Sequence, residues 1–112
     1  MARKAALGEF EHLVLLAALR LRDEAYAPQI ARVLEEHAQR EMSRGTLYAA
    51  LERLETRGLV EWHAEAGTSE RGGRRRRRFR VTEAGAAAAA DARRVLIGMW
   101  SGIEDLLPGE GT

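Results

Sequence analysis

Residues 43–60 of this chain read SRGTLYAALERLETRGLV, and this stretch decides the fold. Ser43 is a favourable N-cap, because its hydroxyl can accept a backbone N–H bond that the start of a helix leaves open. Three leucines then recur at spacings of four and three residues, which places them on one side of a helix, and Gly58 supplies a left-handed residue to end it. The stretch therefore predicts an amphipathic helix with one face buried in a core.

The opposite face of this helix is polar at its N-terminal end. It carries short, polar or basic residues and no large aliphatic one: Arg44, Gly45, Thr46, Tyr48 and Ala49. A face of this kind can enter a groove of a nucleic acid, and it is equally typical of an ordinary amphipathic helix at a protein surface. The helix alone leaves both interpretations open.

Two further helices are predicted before Ser43. From Glu9 to Leu21 the apolar residues follow helical spacing, but their stripe is wide, which predicts a central helix covered on more than one side. Pro28 fits the first turn of a second helix that runs to about Ala38, because its missing N–H costs nothing there. A short linker of ordinary length joins this helix to the next, so the two form a helix-turn-helix candidate.

A two-stranded hairpin is predicted after these helices. Val60, Trp62 and Ala64 alternate with polar residues, the period-two pattern of a half-buried strand. Residues 67–73 contain three glycines, which is typical of a turn, and the sequence RFRVT at 78–82 offers the return strand. Three helices followed by a two-stranded hairpin is the order of elements in a winged helix.

The predicted hairpin carries a dense cluster of arginine. Residues 71–80 include seven Arg and no acidic residue, and the five arginines at 74–78 are consecutive. A solvated charge run is the usual explanation, but consecutive arginines on a hairpin repel one another unless a polyanion offsets their charge. Because a guanidinium group can bond two phosphate oxygens at once, the cluster predicts contact with DNA.

The charge of the whole chain is distributed unevenly. The formal net charge is only +1, yet the segment from Arg40 to Arg80 holds 11 Arg and 6 Glu, a net charge of +5. A basic patch on a nearly neutral protein is the electrostatic pattern of a nucleic-acid-binding protein.

A last helix is predicted from residue 83, with Thr82 as its cap and a run of five alanines as strong helix formers. A terminal helix with so much apolar surface exposes a large patch unless it packs against a partner. Residues 83–107 are therefore expected to dimerise the protein, and residues 108–112 to form a frayed tail. The expected interface residues are Leu96, Trp100, Ile103 and Leu107, which keep a 4-3-4 spacing, together with Phe10 and Val14 of the first helix.

Composition excludes several classes of site. The chain has no cysteine, so it has neither a disulfide framework nor a thiolate site. Its three histidines stand far apart with no carboxylate at metal-ligand spacing, and no nucleophile is paired with a base. We therefore expect no cofactor, no metal and no enzyme activity. The apolar run near the N-terminus is interrupted by charge and too short to span a membrane, so a cytoplasmic protein is expected.

With these elements placed, the chain resembles the PadR family of bacterial winged-helix transcriptional regulators, particularly its short members with one C-terminal dimerisation helix. The resemblance spans nearly everything from Leu7 to Leu107. It depends on four stretches in order: LGEFEHLVLLAALRL, AYAPQI, SRGTLYAALERLETRGLV and ERGGRRRRRFRVTEAG. Two positions depart from the family pattern, since Ala27 and Ala49 stand where glycine and proline are often found.

The resemblance implies a set of DNA-binding residues. The helix that Ser43 begins would enter the major groove, and the arginines of the hairpin would follow the flanking backbone or the minor groove. The implied residues are Ser43, Arg44, Thr46, Tyr48, Arg71, Arg74, Arg75, Arg76, Arg77 and Arg78.

The resemblance also implies regulation. Members commonly repress transcription, and several bind a small aromatic or cationic effector near the dimer centre. By resemblance, that site would be lined by Trp100, Phe10, Val14 and Ile103. A tryptophan on such a helix is more often a packing anchor, so both interpretations stay open.

We therefore expect a mainly α fold with a small β-hairpin, in which residues 1–82 form a winged helix-turn-helix joined to the dimerisation helix. The preferred function is a homodimeric repressor that reads a pseudo-palindromic operator in double-stranded DNA. The alternative is a winged-helix module that binds an acidic protein partner or RNA through the same arginines.

Overall fold

The computed structural model of the chain describes residues 6–65 and 76–108. Its elements, in chain order, are the helices α1 (Glu9–Leu21), α2 (Ala27–Ala38) and α3 (Arg44–Thr56), the strands β1 (Val60–Glu65) and β2 (Arg76–Val81), and the helix α4 (Glu83–Trp100). Short 3-10 helices lie at Arg22–Glu24 and Glu104–Leu106. This succession of described elements is that of a winged helix-turn-helix, which confirms the predicted fold class.

The helix α3 begins and ends where its sequence predicts. The Ser43 hydroxyl accepts a hydrogen bond from the Thr46 amide at 3.1 Å, so it satisfies one of the donors that the first turn leaves open. After the last turn, Gly58 takes a φ of 75°, a left-handed backbone that other residues rarely adopt. The three leucines of α3 are buried, as their spacing predicts.

The hairpin is anchored to the helices by a third short stretch of extended chain. β1 and β2 pair antiparallel along their whole length. On the other edge of β2, Tyr26 forms a bridge with Arg78, and the Phe79 amide donates to the Ala25 carbonyl at 2.8 Å. Because Tyr26 comes directly before α2, this bridge fixes the hairpin against the helix-turn-helix.

The helix α1 lies at the centre of the fold. Val14 and Leu15 have no exposed surface, and α1 contacts α2, α3, α4 and β2. Ile30 of α2, Leu54 of α3 and Phe79 of β2 are buried in the same core. The wide apolar stripe of α1 is thus used on several sides.

The start of α4 packs closely on the connection between α3 and β1. The Thr82 hydroxyl accepts a hydrogen bond from the Gly85 amide at 3.0 Å and donates one to the Gly58 carbonyl at 2.7 Å. A side chain at Gly85 would overlap the Leu59 carbonyl, so this position requires glycine. These contacts fix the direction in which α4 leaves the domain.

The prediction of one continuous helix over residues 83–107 is wrong at its end. α4 stops at Trp100, and Gly102 takes a φ of 91°. Gly102 lowers helix propensity and offers the left-handed geometry at which helices end. Ile103 and Leu107 therefore lie beyond the helix and do not continue its apolar seam.

The assignment of Val14 to a dimer interface and an effector site is also wrong. Val14 is 0% exposed inside the core of its own protomer, so it has no surface to offer a partner or a ligand. The burial of Val14 could not be predicted, because the apolar stripe of α1 is so wide that the sequence does not show which of its residues point inward.

Across residues 6–65 and 76–108, none of the helices combines the length and the apolar character that crossing a membrane requires. The same residues contain no cluster of three or more His, Asp or Glu that could hold a metal ion.

Candidate nucleic-acid interface

An open groove of about 900 Å³ lies between the start of α2, the helix α3 and the strand β2, and Glu52 is its acidic lining residue. Ser43, Arg44 and Tyr48 line it from the α3 side, and Arg76 and Arg77 line it from β2. All five are among the DNA-binding residues predicted from the sequence. Folding brings them into one groove although they lie far apart in the chain.

The first turn of α3 presents polar groups next to the positive end of the helix dipole. Ser43 Oγ donates to Thr46 Oγ1 at 3.0 Å in addition to capping the helix. Thr46 is exposed but does not line the groove itself, and Arg44 is exposed beside it. An anion near this turn meets backbone amides, a hydroxyl and a guanidinium group together.

The hairpin β1–β2 with the residues between its strands, 60–81, is called the wing below. At its base the Arg77 guanidinium carbon lies 4.4 Å from the centre of the Trp62 ring and 5.9 Å from that of Tyr48. Both rings are half-buried and pack against the core. Cation–π attraction therefore places the charge of Arg77 between the wing and α3.

On the other side of the wing, Glu65 holds three partners. It accepts a hydrogen bond from the Tyr26 hydroxyl at 2.9 Å and forms ion pairs with Arg78 at 3.2 Å and Arg76 at 3.8 Å. The Arg76 guanidinium also lies 3.7 Å above the Tyr26 ring. Burial, and then the hydrogen bond to Glu65, raise the pKa of Tyr26, so its hydroxyl remains a donor.

The described arginines of the wing thus fall into two groups. Arg76 and Arg78 pair with Glu65, and Arg80 pairs with Glu61 on the same side of the hairpin. Arg77 leaves the strand on the opposite face, because side chains alternate along a strand, and among the described residues it contacts two rings and no carboxylate. Arg76 also reaches the groove, where it stacks on Tyr26.

The helix α3 is tied to α1 by a contact that the sequence analysis missed. Glu11 accepts a hydrogen bond from Arg53 Nε at 2.8 Å and lies 3.3 Å from Arg57 Nη1. The hydrogen bond from Arg53 lowers the pKa of Glu11, although burial opposes it. Since 42 residues separate Glu11 from Arg53, no local pattern could have revealed this pair.

The remaining candidate DNA-binding residues do not all reach the groove. Arg71, Arg74 and Arg75 lie outside the described residues. Arg78 is described, but it bonds Glu65 and His63 on the side of the wing away from Arg77.

A second groove, of about 620 Å³, runs between α1 and α4 and is apolar. Leu16 and Leu19 line it from α1, and Leu96, Ile97 and Trp100 line it from α4. About half of the surface of Leu96 and of Trp100 is exposed, 52% and 50% respectively. Monomeric proteins rarely expose such a contiguous apolar surface, so this groove is suited to being covered by a partner.

Of the candidate dimer-interface residues, only two line this apolar groove, Leu96 and Trp100. Phe10 is half-buried and packs against the core, whereas Ile103 and Leu107 are exposed after the end of α4. The two leucines of α1 were not among the interface residues predicted from the sequence. The unusual width of the α1 stripe is the signal that points to them.

A family model also matches the chain. The Transcriptional regulator PadR-like family model matches residues 15–91, which is more than half of the sequence. Curated proteins offer no significant match.

Solved structures share the fold. A PadR-like transcription factor from Bacteroides fragilis has a TM-score of 0.70 at 24% identity, covering 88% of this chain and 89% of that one. A PadR family regulator from Eggerthella lenta has a TM-score of 0.68 at 26% identity, covering 91% and 88%. A PadR-like regulator from Bacillus cereus has a TM-score of 0.69 at 22% identity, covering 90% and 93%.

The matched family consists of DNA-binding transcriptional regulators and not of enzymes, which confirms that part of the sequence analysis. Three observations point to the same family: the winged-helix order of the elements, the arginines in the groove between α3 and the wing, and the family model that matches residues 15–91. The chain therefore belongs to the PadR-like family of transcriptional regulators.

Proposed function

We propose that this protein is a homodimeric repressor that reads a pseudo-palindromic operator in double-stranded DNA. The observation that carries the proposal is the groove in which Arg44 and Tyr48 of α3 meet Arg76 and Arg77 of the wing. This arrangement fits a duplex, because the exposed end of α3 can enter the major groove while guanidinium groups bind the adjacent phosphates.

In this proposal the first turns of α3 read the bases. Arg44 has the geometry for two hydrogen bonds to a guanine, and Thr46 can contact a base edge or a thymine methyl group. The Ser43 hydroxyl caps the helix and donates its proton to Thr46 Oγ1, so a phosphate at the helix end would take over that hydrogen bond. Tyr48 is half-buried and lines the groove, so the part of it that remains exposed would face the duplex.

The wing supplies affinity more than sequence choice in this proposal. Its arginines, Arg71 and residues 74–78, would follow the flanking backbone or reach into a narrow minor groove. Contacts to phosphates fix the position of a protein on the duplex, whereas base edges carry the sequence information.

A second copy of the chain is the proposed occupant of the apolar groove between α1 and α4. A two-fold interface there would present two α3 helices to one face of a duplex, and such dimers read half-sites about 34 Å apart. The groove also places Trp100 near Glu104. A ring beside a carboxylate suits a small aromatic or cationic effector, and this effector stays a prediction. A cytoplasmic location also stays a prediction.

The proposal is tested by the anisotropy of a fluorescent duplex of random sequence, compared with single-stranded RNA of the same length. We expect binding to the duplex, with an association constant that falls linearly on a log–log plot against salt concentration. Preferential binding to the RNA, or no binding to the duplex, would contradict the proposal and favour the alternative interaction module.

A further inference from the structure

We propose that Trp62 is a positioning residue for DNA binding. By stacking on Arg77, it holds this guanidinium group in the groove beside α3, so that the wing and α3 contact the duplex as one unit. The inference rests on the proposed function, and it adds a residue that acts through Arg77 rather than by touching DNA.

The register of the hairpin brings Trp62 and Arg77 together. Ala64 of β1 stands directly opposite Arg77 of β2, and Trp62 lies two residues earlier on β1. Trp62 therefore shares a face with Arg77 as its diagonal neighbour, a position that aromatic and long side chains can bridge. The small side chain of Ala64 leaves room for Arg77 to lie across it and reach the Trp62 ring at 4.4 Å.

Stacking holds Arg77 without neutralising it. The other described arginines of β2 stand beside a carboxylate. Arg78 and Arg80 form ion pairs with Glu65 and Glu61 through nitrogen atoms that a phosphate would otherwise bond. Arg76 stacks on Tyr26, but Glu65 at 3.8 Å offsets part of its charge. An aromatic ring instead contacts the flat face of a guanidinium group and leaves the N–H donors at its edge available. Arg77 is therefore fixed in place with its charge and its donors still directed to a partner.

Tyr48 extends this arrangement to α3. Its ring lies 5.9 Å from the Arg77 guanidinium and packs against the same core as Trp62. A free arginine loses much side-chain freedom when it binds a phosphate, and the stack removes part of that freedom before DNA arrives. Preorganised contacts of this kind favour binding because they lower the entropy cost.

The salt dependence of duplex binding tests the inference, because it counts phosphate contacts. Trp62→Leu leaves the net charge unchanged, yet we expect it to lower the log–log salt slope by about 0.9, the value of one phosphate contact, because the cost of ordering an unheld Arg77 offsets the gain from that contact. We expect Arg77→Met to lower the slope equally. Each variant should weaken binding to a random duplex about fivefold, and the double variant no more than Arg77→Met alone.

Two further variants serve as controls. Trp62→Phe keeps a ring over Arg77 and should restore most of the slope. Arg80→Met removes the same charge from the same strand, but Arg80 pairs with Glu61 and touches no ring, so its effect should add to that of Trp62→Leu. An unchanged slope in Trp62→Leu, or full additivity with Arg77→Met, would overturn the inference while leaving the proposed function standing. A wild-type protein that binds no duplex would overturn both.

The stack is also measurable without DNA. The chain has two tryptophans, so in a Trp100→Phe background the emission comes from Trp62 alone. We expect Arg77→Met to increase the quenching of Trp62 by acrylamide, and Arg80→Met to leave it unchanged. Equal quenching in all three proteins would show that Arg77 does not cover the ring and would overturn the inference.

Discussion

The groove between α3 and the wing and the groove between α1 and α4 expose different chemical groups. The walls of the groove between α3 and the wing carry cations that aromatic rings or carboxylates hold in place. The groove between α1 and α4 is walled mainly by aliphatic side chains and one tryptophan, with His12, Arg93 and Glu104 as its polar lining residues. A polyanion would neutralise the cations of the first groove. An apolar surface on a partner would cover the apolar residues of the other groove. The difference supports the proposal of two separate partners, DNA and another copy of the chain.

The largest expected effect comes from removing the cations of the wing. Replacing residues 74–78 with alanine should weaken binding to duplexes of any sequence by roughly 1,000-fold, at somewhat under 1 kcal/mol for each exposed contact. The log–log salt slope should also become markedly flatter. Replacement of the same residues with lysine keeps the charge and serves as the control. Unchanged affinity in the alanine variant would refute a DNA-binding role for the wing.

The apolar groove is tested by placing a charge in it. Leu96→Glu would bury an unpaired carboxylate in the proposed dimer, so we expect the dissociation constant of the dimer to rise about 100-fold or more. Analytical ultracentrifugation measures it. Ala87→Glu, on an exposed part of α4 outside this groove, is the matched control and should leave the dimer intact. A dimer that tolerates both changes equally must associate through another surface.

A substitution in α3 should reduce the discrimination between DNA sequences much more than it reduces the affinity for DNA in general. Arg44→Ala is expected to reduce discrimination between a selected duplex and a random one by about tenfold, the value of one bidentate contact to guanine. Binding to the random duplex should fall much less. Competition binding with both duplexes measures the ratio, and loss of affinity to both in equal proportion would assign Arg44 to phosphate contact instead.

The smallest expected effect concerns the tie between α1 and α3. The folded protein lowers the pKa of Glu11 below its usual value of 4.5, so the contact stabilises the fold above that pH and its contribution is lost as the pH falls through the lowered value. Glu11→Gln should cost about 0.5 kcal/mol near pH 7, since Arg53 is 56% exposed to solvent. Urea unfolding at neutral and at acidic pH measures it. A difference that does not shrink in acid would contradict this account of Glu11.

The sequence predicted the helices of the winged helix-turn-helix closely, because local physics decides them. Ser43 and Thr82 are caps, Gly58 is a left-handed stop, and the spacing of the leucines in α3 marks the buried face. The end of α4 was harder to predict. The apolar pattern continues past Trp100, but Gly102 ends the helix there.

The residues of the basic groove were predictable as residue types but not as an arrangement. Arginines in a hairpin indicate a polyanion from composition alone, whereas the separation of Arg77 from the carboxylate-paired arginines depends on strand register. Contacts such as Glu11 with Arg53 join distant parts of the chain and leave no periodic pattern. For the same reason the inward position of Val14 could not be distinguished within the wide stripe of α1.

The most direct test of the account is selection of bound duplexes from a random library by the full chain. Two copies that each place α3 and a wing on one face of a duplex should enrich an inverted repeat, with half-site centres about 10 base pairs apart. Enrichment of a single unrepeated site, or of no sequence at all, would contradict a dimer that reads DNA through this groove.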